Sequence, residues 1–171
     1  MASKPLTNGV QRRAPLINLS GYEILTYRVS IAEPTNEYPF RGTPLRNAED
    51  VRDFTVKLFP ALGLDADREH FILLSLNNKN RLNGLKVVST GSLTASLVHP
   101  REVYHAAITL RAAGVIFLHN HPSGNPDPSP EDIDITRRLK EVGDVMGIRV
   151  LDHIIIGREG SYFSFDDKNK L

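Results

Sequence analysis

The stretch Val115-Ile116-Phe117-Leu118-His119-Asn120-His121 is a run of four apolar residues that leads into two histidines. Branched and aromatic apolar residues in so short a run predict a buried β-strand. Pro122 follows and ends the strand, because proline has no N–H to donate to a neighbouring strand. After the loop 122–128, the sequence Ser129-Pro130-Glu131-Asp132 predicts a helix start, with serine as the N-cap and proline at the first helical position.

Helices and strands alternate on both sides of this stretch. Helical spacing of apolar residues predicts one helix from a cap at Asn47 to Pro60, and another from Pro100 to a closing glycine, Gly114. The helix that starts at Ser129 is predicted to end at Gly147. Short apolar runs predict strands over residues 69–76, 82–89, 148–156 and 161–165. The interleaved order predicts an α/β fold with a mixed sheet flanked by helices, in a strand order that this pattern leaves open.

The first 46 residues differ from the rest of the chain. Residues 1–20 show no apolar period and are interpreted as a mobile arm. Partial alternation predicts a strand over 22–31, and the prolines of 32–46 indicate a loop or linker. We therefore predict an N-terminal extension over 1–46, partly disordered, and a compact domain over 47–171.

The composition is that of an ordinary globular domain. The chain has 171 residues, 40% hydrophobic and 24% charged, whereas one domain spans about 100–200 residues. The net charge of +1 is not the strongly basic charge that is typical of proteins that bind nucleic acid. Because the chain has no cysteine, disulfides, thiolate zinc sites, iron–sulfur clusters and cysteine nucleophiles are excluded.

Neither a signal peptide nor a membrane-spanning segment is recognised. No apolar core follows the first residues. The longest apolar runs fall far short of the roughly 20 residues that cross a bilayer. We expect a cytoplasmic protein without a membrane partner.

The two histidines and a nearby acid predict a metal site. Residues two apart on a strand point the same way, so His119 and His121 reach one point while Asn120 faces the other side. Asp132 lies at the third position of the following helix, where the helix dipole favours negative charge. Two imidazoles and one carboxylate are a set of three protein ligands for catalytic zinc, which leaves the fourth position open. The cofactor predicted from these residues is Zn²⁺.

The spacing His119-x-His121, seven residues, then Ser129-x-x-Asp132 resembles the JAMM motif of JAB/MPN-domain metalloproteases. The wider context resembles the RadC family over residues 47–165, in three segments: Pro100-Arg101-Glu102-Val103, His119 to Ser129, and Asp152-His153-Ile154. The resemblance implies a JAB/MPN fold with cytidine-deaminase-like layering. It also implies a zinc ion and the hydrolysis of a peptide or isopeptide bond in a peptide or protein substrate.

The resemblance further implies an upstream glutamate that acts as general base. Glu69 opens a predicted strand at a fitting distance before the histidines, and Glu102 at a helix start is the competitor. Glu69 would take a proton from the attacking water and pass it to the leaving amine. The hydroxyl of Ser129 would stabilise the oxyanion while it also caps its helix. For His153 we favour a structural role in a strand, with the orientation of a ligand imidazole as the alternative.

Two other classes of function stay open beside the zinc hydrolase. The first is a RadC-like accessory protein in DNA repair or processing, although no helix-hairpin-helix region is recognised in residues 1–46. The second is an inactive JAB scaffold that binds partners, against which the complete ligand set argues. The sequence determines neither the substrate nor the oligomeric state.

Overall fold

The computed structural model describes residues 40–91 and 98–171, together with the backbone of 18–19 and 22–23. The chain divides into one unit over Met1–Tyr38 and another over Pro39–Leu171. In the first unit, β1 (Asn18–Leu19) pairs antiparallel with β2 (Tyr22–Glu23). Most of the predicted mobile arm and of the predicted strand over 22–31 lies outside the described residues.

The second unit has a mixed sheet with helices on both faces. Its described α-helices are α1 (Ala48–Leu62), α2 (Pro100–Thr109) and α3 (Pro130–Met146). Its strands are β3 (Glu69–Leu76), β4 (Leu82–Gly91), β5 (Gly114–Asn120), β6 (Arg149–Ile156) and β7 (Tyr162–Ser164). Within the described part of the chain, no helix combines the length and apolar character needed to cross a membrane.

The sheet order is β4-β3-β5-β6-β7. β5 and β6 run parallel, joined by α3 as the crossover, while the other neighbouring pairs are antiparallel. The prediction of a mixed α/β sheet flanked by helices is confirmed.

Alternating side chains of the central strands build two separate cores. Phe71 and Phe117 point to the face covered by α2 and α3, where they pack with Leu139. Ile72 and Leu118 point to the opposite face, which α1 covers. Because side chains alternate along a strand, every residue of β3 in step with Phe71 faces α2 and α3. His119 of β5 is in step with Phe117 and therefore lies on the same face.

The predicted end of the first helix at Pro60 is wrong. α1 continues to Leu62 and closes at Gly63, which adopts a left-handed conformation with φ of 62°. Proline removes one hydrogen bond to the carbonyl four residues earlier, that of Val56. The side chain of Val56 is 70% exposed. Because this side of the helix faces water, the carbonyl of Val56 can accept a hydrogen bond from solvent.

Gly114 does not close the second helix, contrary to the prediction. α2 ends at Thr109, and Arg111 takes the left-handed position with φ of 53°. The N–H of Ala112 donates to the carbonyl of Ala107 at 2.9 Å, as in a Schellman closure. Gly114 is instead the first residue of β5, where an added Cβ would lie 3.2 Å from the carbonyl of Arg149.

Residues 40–46, assigned from the sequence to the extension, run alongside the start of β4. Pro44 forms a β-bridge with Arg81, and the N–H of Leu45 donates to the carbonyl of Asn80 at 3.0 Å. The side chain of Leu45 is 1% exposed and belongs to the core under α1. These contacts place residues 40–46 with the second unit.

A buried acid, Asp152, lies in β6. Its Oδ1 accepts the N–H groups of His153 at 2.7 Å and Asp166 at 3.0 Å, and its Oδ2 accepts the hydroxyl of Ser164 at 2.7 Å. Burial raises the pKa of Asp152 from 3.8 to about 6, although these hydrogen bonds oppose the increase. The fold therefore favours the neutral carboxyl.

We predict that this acid lowers stability as the pH rises. The folded-state pKa lies above the unfolded one, so the favourable contribution is complete below pH 4 and is lost as the pH rises through about 6. The free energy of unfolding should fall by about 1–3 kcal/mol relative to Asp152→Asn across this window. Denaturant titrations of both proteins from pH 4 to 8 measure the difference, and a constant difference would contradict the prediction.

Candidate metal centre

The register of two strands brings the predicted site residues to one edge of the sheet. β3 and β5 are antiparallel with Phe71 opposite His119. Continued by one step of two residues, this register sets Glu69 beside His121. Both positions are in step with Phe71 and His119, so the side chains share the face covered by α3. Asp132 enters from the first turn of α3.

The ligand atoms of the predicted metal set converge. The Nε2 atoms of His119 and His121 are 3.0 Å apart. Oδ1 of Asp132 is 3.2 Å from Nε2 of His119, and its Oδ2 is 3.3 Å from Nε2 of His121. His119 and Asp132 are 0% and 1% exposed. Glu69 completes a group whose ligand atoms all lie within 4.8 Å of one another.

The three inner residues fit a zinc ion. A tetrahedral zinc with ligands at about 2.0–2.1 Å separates its ligand atoms by roughly 3.3 Å. The three separations among His119, His121 and Asp132 run from 3.0 to 3.3 Å, with Oδ1 of Asp132 beside His119 and Oδ2 beside His121. The carboxylate of Glu69 is farther away, 4.0 Å from Nε2 of His121. The arrangement therefore offers three ligands and one acid that lies beside them.

Electrostatic interactions within the site keep Asp132 ionised. Burial alone would raise the pKa of Asp132, but the interactions with the imidazoles of His119 and His121 outweigh it and hold that pKa well below its usual range. The interaction with Asp132 also raises the pKa of His121, with burial opposing. Asp132 is thus an anion beside two imidazoles, as a cation site requires.

Ser129 holds Asp132 in place through a capping box. The hydroxyl of Ser129 donates to Oδ2 of Asp132 at 2.6 Å and accepts the N–H of Asp132 at 3.1 Å. The N–H of Ser129 also donates to Oδ2, at 2.8 Å. Because these bonds fix the first turn of α3, the carboxylate has a defined direction before any ligand binds.

The loop after β5 orients His121. Its Nδ1 donates to the carbonyl of Asn125 at 2.8 Å, which turns Nε2 toward Asp132. The loop is tied to the β6–β7 connection, where the N–H of Arg158 donates to the carbonyl of Gly124 at 3.0 Å. A Cβ on Gly157 would collide with that carbonyl and lie 2.9 Å from Cδ of Pro126. Gly157 therefore allows the close approach of the two loops.

Gly157→Ala is predicted to weaken zinc binding. Gly157 has φ of −98°, which any residue adopts, so the whole cost is the steric clash that pushes the loop of Asn125 away. Overpacking of this kind costs about 1–3 kcal/mol of stability. Gly63→Ala is the control: it strains a left-handed residue by about 1–2 kcal/mol with nothing within 4 Å. Chelator competition should show weaker zinc binding for Gly157→Ala alone, and equal affinities would contradict the prediction.

Asn120 has a role that the motif does not indicate. Its side chain faces away from the histidine pair, as predicted, and donates to the carbonyl of Arg68 at 2.9 Å. Its Oδ1 accepts the N–H of His70 at 3.0 Å. These bonds hold the residues on both sides of Glu69. Asn120 therefore fixes where β3 begins and where the Glu69 side chain leaves the backbone.

Glu102 lies outside the group of converging ligands. Its side chain is 62% exposed and pairs with Arg101 at 3.2 Å in the first turn of α2. Among the residues that the structure describes, Glu69 is the glutamate whose carboxylate lies with the converging ligand atoms.

His153 contacts a predicted ligand, which favours the alternative role over the structural one. Its Nε2 is 2.8 Å from Nδ1 of His119, and its Nδ1 is 2.6 Å from Oγ1 of Thr136. Burial lowers the pKa of His153 well below its ordinary value, so the ring is neutral. Thr136 was missed from the sequence, where a threonine inside a helix carries no distinguishing pattern.

The geometry agrees with a comparison to known families. A sequence model of the RadC-like JAB domain family matches residues 45–171, well over half of the chain. The chain belongs to this family. The resemblance read from the two histidines, Ser129 and Asp132 is thereby confirmed. The RadC-like domain includes every member of the converging group, from Glu69 to Asp132.

Bacterial relatives match the RadC-like domain over part of their length. A UPF0758 protein of Syntrophotalea carbinolica is 59% identical over 107 residues, 63% of this chain and 47% of the relative. One from Pelobacter propionicus is 58% identical over 107 residues, with 63% and 46% covered. One from Moorella thermoacetica is 49% identical over 129 residues, with 75% and 54% covered. The chain spans about half the length of these curated relatives.

Proposed function

We propose that the protein is a zinc-dependent hydrolase that cleaves a peptide or isopeptide bond in a peptide or protein substrate. The observation that carries the proposal is the convergence of His119, His121 and Asp132, with Glu69 beside this set rather than within it. Three nitrogen and oxygen ligands with an open position are typical of catalytic zinc. When bound there, zinc would act as a Lewis acid and lower the pKa of water, so that a proton can be removed from it near neutral pH.

Glu69 is the proposed general base. Its carboxylate is 4.0 Å from Nε2 of His121, close enough to reach a water molecule in the site by a hydrogen bond. The carboxylate takes one proton from the water, whose oxygen forms the new bond to the amide carbon. It then returns that proton to the nitrogen as the C–N bond breaks. The carboxylate is regenerated, and the products are an amine and a carboxylic acid.

Ser129 has two proposed tasks that use the same hydroxyl. Its contacts with Asp132 support the first, which is to hold that carboxylate in place. The second is to donate to the oxyanion of the tetrahedral intermediate. For this the O–H must rotate away from Oδ2 of Asp132, which keeps a hydrogen bond from the N–H of Ser129.

The proposal is tested with the zinc-loaded chain on two kinds of probe. The first is a mixture of internally quenched peptides, and the second is a peptide joined through a lysine side chain by an isopeptide bond. We expect cleavage of an amide bond in at least one probe, lost when zinc is chelated and regained when zinc is restored. Cleavage of duplex DNA with both peptide probes left intact would contradict the proposal and favour the DNA-processing alternative.

A further inference from the structure

Two polar side chains outside the motif form a buried chain behind His119. Nδ1 of His119 contacts Nε2 of His153 at 2.8 Å, and Nδ1 of His153 contacts Oγ1 of Thr136 at 2.6 Å. Oγ1 of Thr136 reaches the backbone carbonyl of Asp132 at 2.5 Å. His119 and His153 are 0% exposed and Thr136 is 1% exposed. The chain therefore connects two predicted ligands through groups that water does not reach.

The carbonyl at the end of this chain fixes the direction of every hydrogen bond. A carbonyl only accepts, so the single hydroxyl hydrogen of Thr136 points to Asp132. Oγ1 of Thr136 must then accept the hydrogen on Nδ1 of His153. A neutral imidazole has one N–H, so Nε2 of His153 accepts from Nδ1 of His119. In the neutral ring, which is the form that binds a metal, the lone pair of His119 is then left on Nε2, 3.2 Å from Oδ1 of Asp132.

His121 also presents its Nε2 toward the site, but a backbone carbonyl rather than a side chain orients its ring. Its Nδ1 donates to the carbonyl of Asn125, so in the neutral ring its lone pair is also on Nε2. When both rings are neutral, two imidazole lone pairs therefore meet at 3.0 Å beside a carboxylate. This arrangement is repulsive on its own and favourable around a cation. The buried chain matters because its reversal would replace one lone pair by an N–H that points into the site.

We propose that Thr136 and His153 are positioning residues that fix the tautomer of His119, so that its Nε2 lone pair is presented to the metal. Neither residue is a ligand, and neither touches the substrate. The inference rests on the metal site of the proposed function but not on any hydrolytic activity. Partners that orient ligand imidazoles in this way typically contribute about 10–100-fold to metal affinity.

The test compares Thr136→Val with Thr136→Ser. Valine has nearly the same shape as threonine but cannot accept from Nδ1 of His153, so nothing then holds the tautomer of His119. We expect zinc affinity, measured by chelator competition, to fall about 10–100-fold in Thr136→Val and to be kept in Thr136→Ser. Equal affinities for the two variants would overturn the proposal.

Thr55→Val is the matched control. Thr55 is also a buried helical threonine whose hydroxyl donates to the carbonyl four residues earlier, that of Val51, at 2.8 Å. It lies in α1, which covers the opposite face of the sheet from α3. Thr55→Val should therefore lose the same kind of helix bond with no change in zinc affinity. An equal loss of affinity in Thr55→Val would mean that the effect is one of general stability, and the proposal would fail.

A second measurement is independent of zinc binding. Nitrogen-15 NMR of the histidine rings in the zinc-free chain reports which ring nitrogen carries hydrogen. We expect hydrogen on Nδ1 of His119 in the wild type and in Thr136→Ser, and a mixture of tautomers in Thr136→Val. Absence of hydrogen from Nδ1 of His119 in the wild type would overturn the inference. Because this readout needs no metal, it separates failure of the inference from failure of the proposed function.

Discussion

Glu69→Gln is expected to slow amide hydrolysis by about 10²–10⁴-fold, the range that general acid–base catalysis contributes. Glutamine keeps the shape of the side chain but cannot take a proton from water at neutral pH. Zinc content should stay that of the wild type, because Glu69 lies 4.0 Å from the nearest imidazole nitrogen, outside the inner set of ligands. Steady-state kinetics on the cleaved probe, together with elemental analysis, measure both quantities.

Glu102→Gln is the control for this experiment. Glu102 is exposed and paired with Arg101, so its loss should leave both the rate and the zinc content unchanged. The opposite pattern, a slow Glu102→Gln and an active Glu69→Gln, would show that the base is assigned to the wrong residue. Loss of zinc from Glu69→Gln would show instead that this acid is a ligand.

Asp132→Asn is expected to abolish activity by loss of the metal. The change removes the anionic ligand and should lower zinc affinity by more than the about 10–100-fold typical of an outer partner. Asparagine is also a good acceptor for backbone N–H groups at a helix start, so α3 should still form. Chelator competition measures the affinity, and circular dichroism checks the helix content.

Asp134→Asn provides the comparison two residues along the same helix. The side chain of Asp134 is 46% exposed and pairs with Arg137 on the outer surface of α3. Its replacement should change neither zinc affinity nor activity. If Asp132→Asn bound zinc as tightly as Asp134→Asn, Asp132 would not be a ligand.

Local sequence rules predicted much of the fold because most elements carry their own signals. Ser129 and Asn47 cap helices as expected, and their side chains accept from the third residue of each helix. The two wrongly predicted helix ends depend on features that the local sequence pattern does not show. Pro60 lies inside α1 because the exposed turn before it tolerates the lost hydrogen bond, and that exposure depends on tertiary packing. Gly114 looked like a helix end, but Arg111 supplies the left-handed turn.

The inner site was predictable for a different reason. His119 lies near the end of β5 and His121 directly follows that strand, and the acid comes at the next helix start, so one local supersecondary unit holds all three predicted ligands. The outer contacts required the three-dimensional register. Phe117 lies opposite His153 in the β5–β6 pair, and this pairing brings His153 behind His119. The spacing of residues in the sequence does not show that β6 is the neighbour of β5. The role of Thr136, which contacts His153 of β6, was therefore not predictable either.

The claim that His119, His121 and Asp132 hold one zinc ion is tested most directly by elemental analysis. Wild type and the double variant His119→Ala, His121→Ala are purified without chelator, dialysed against zinc and then freed of unbound metal. We predict one zinc per chain for the wild type and none for the variant, with both proteins folded because the two apolar cores form without the metal. A wild type that takes up no zinc, or a variant that keeps it, would contradict the account.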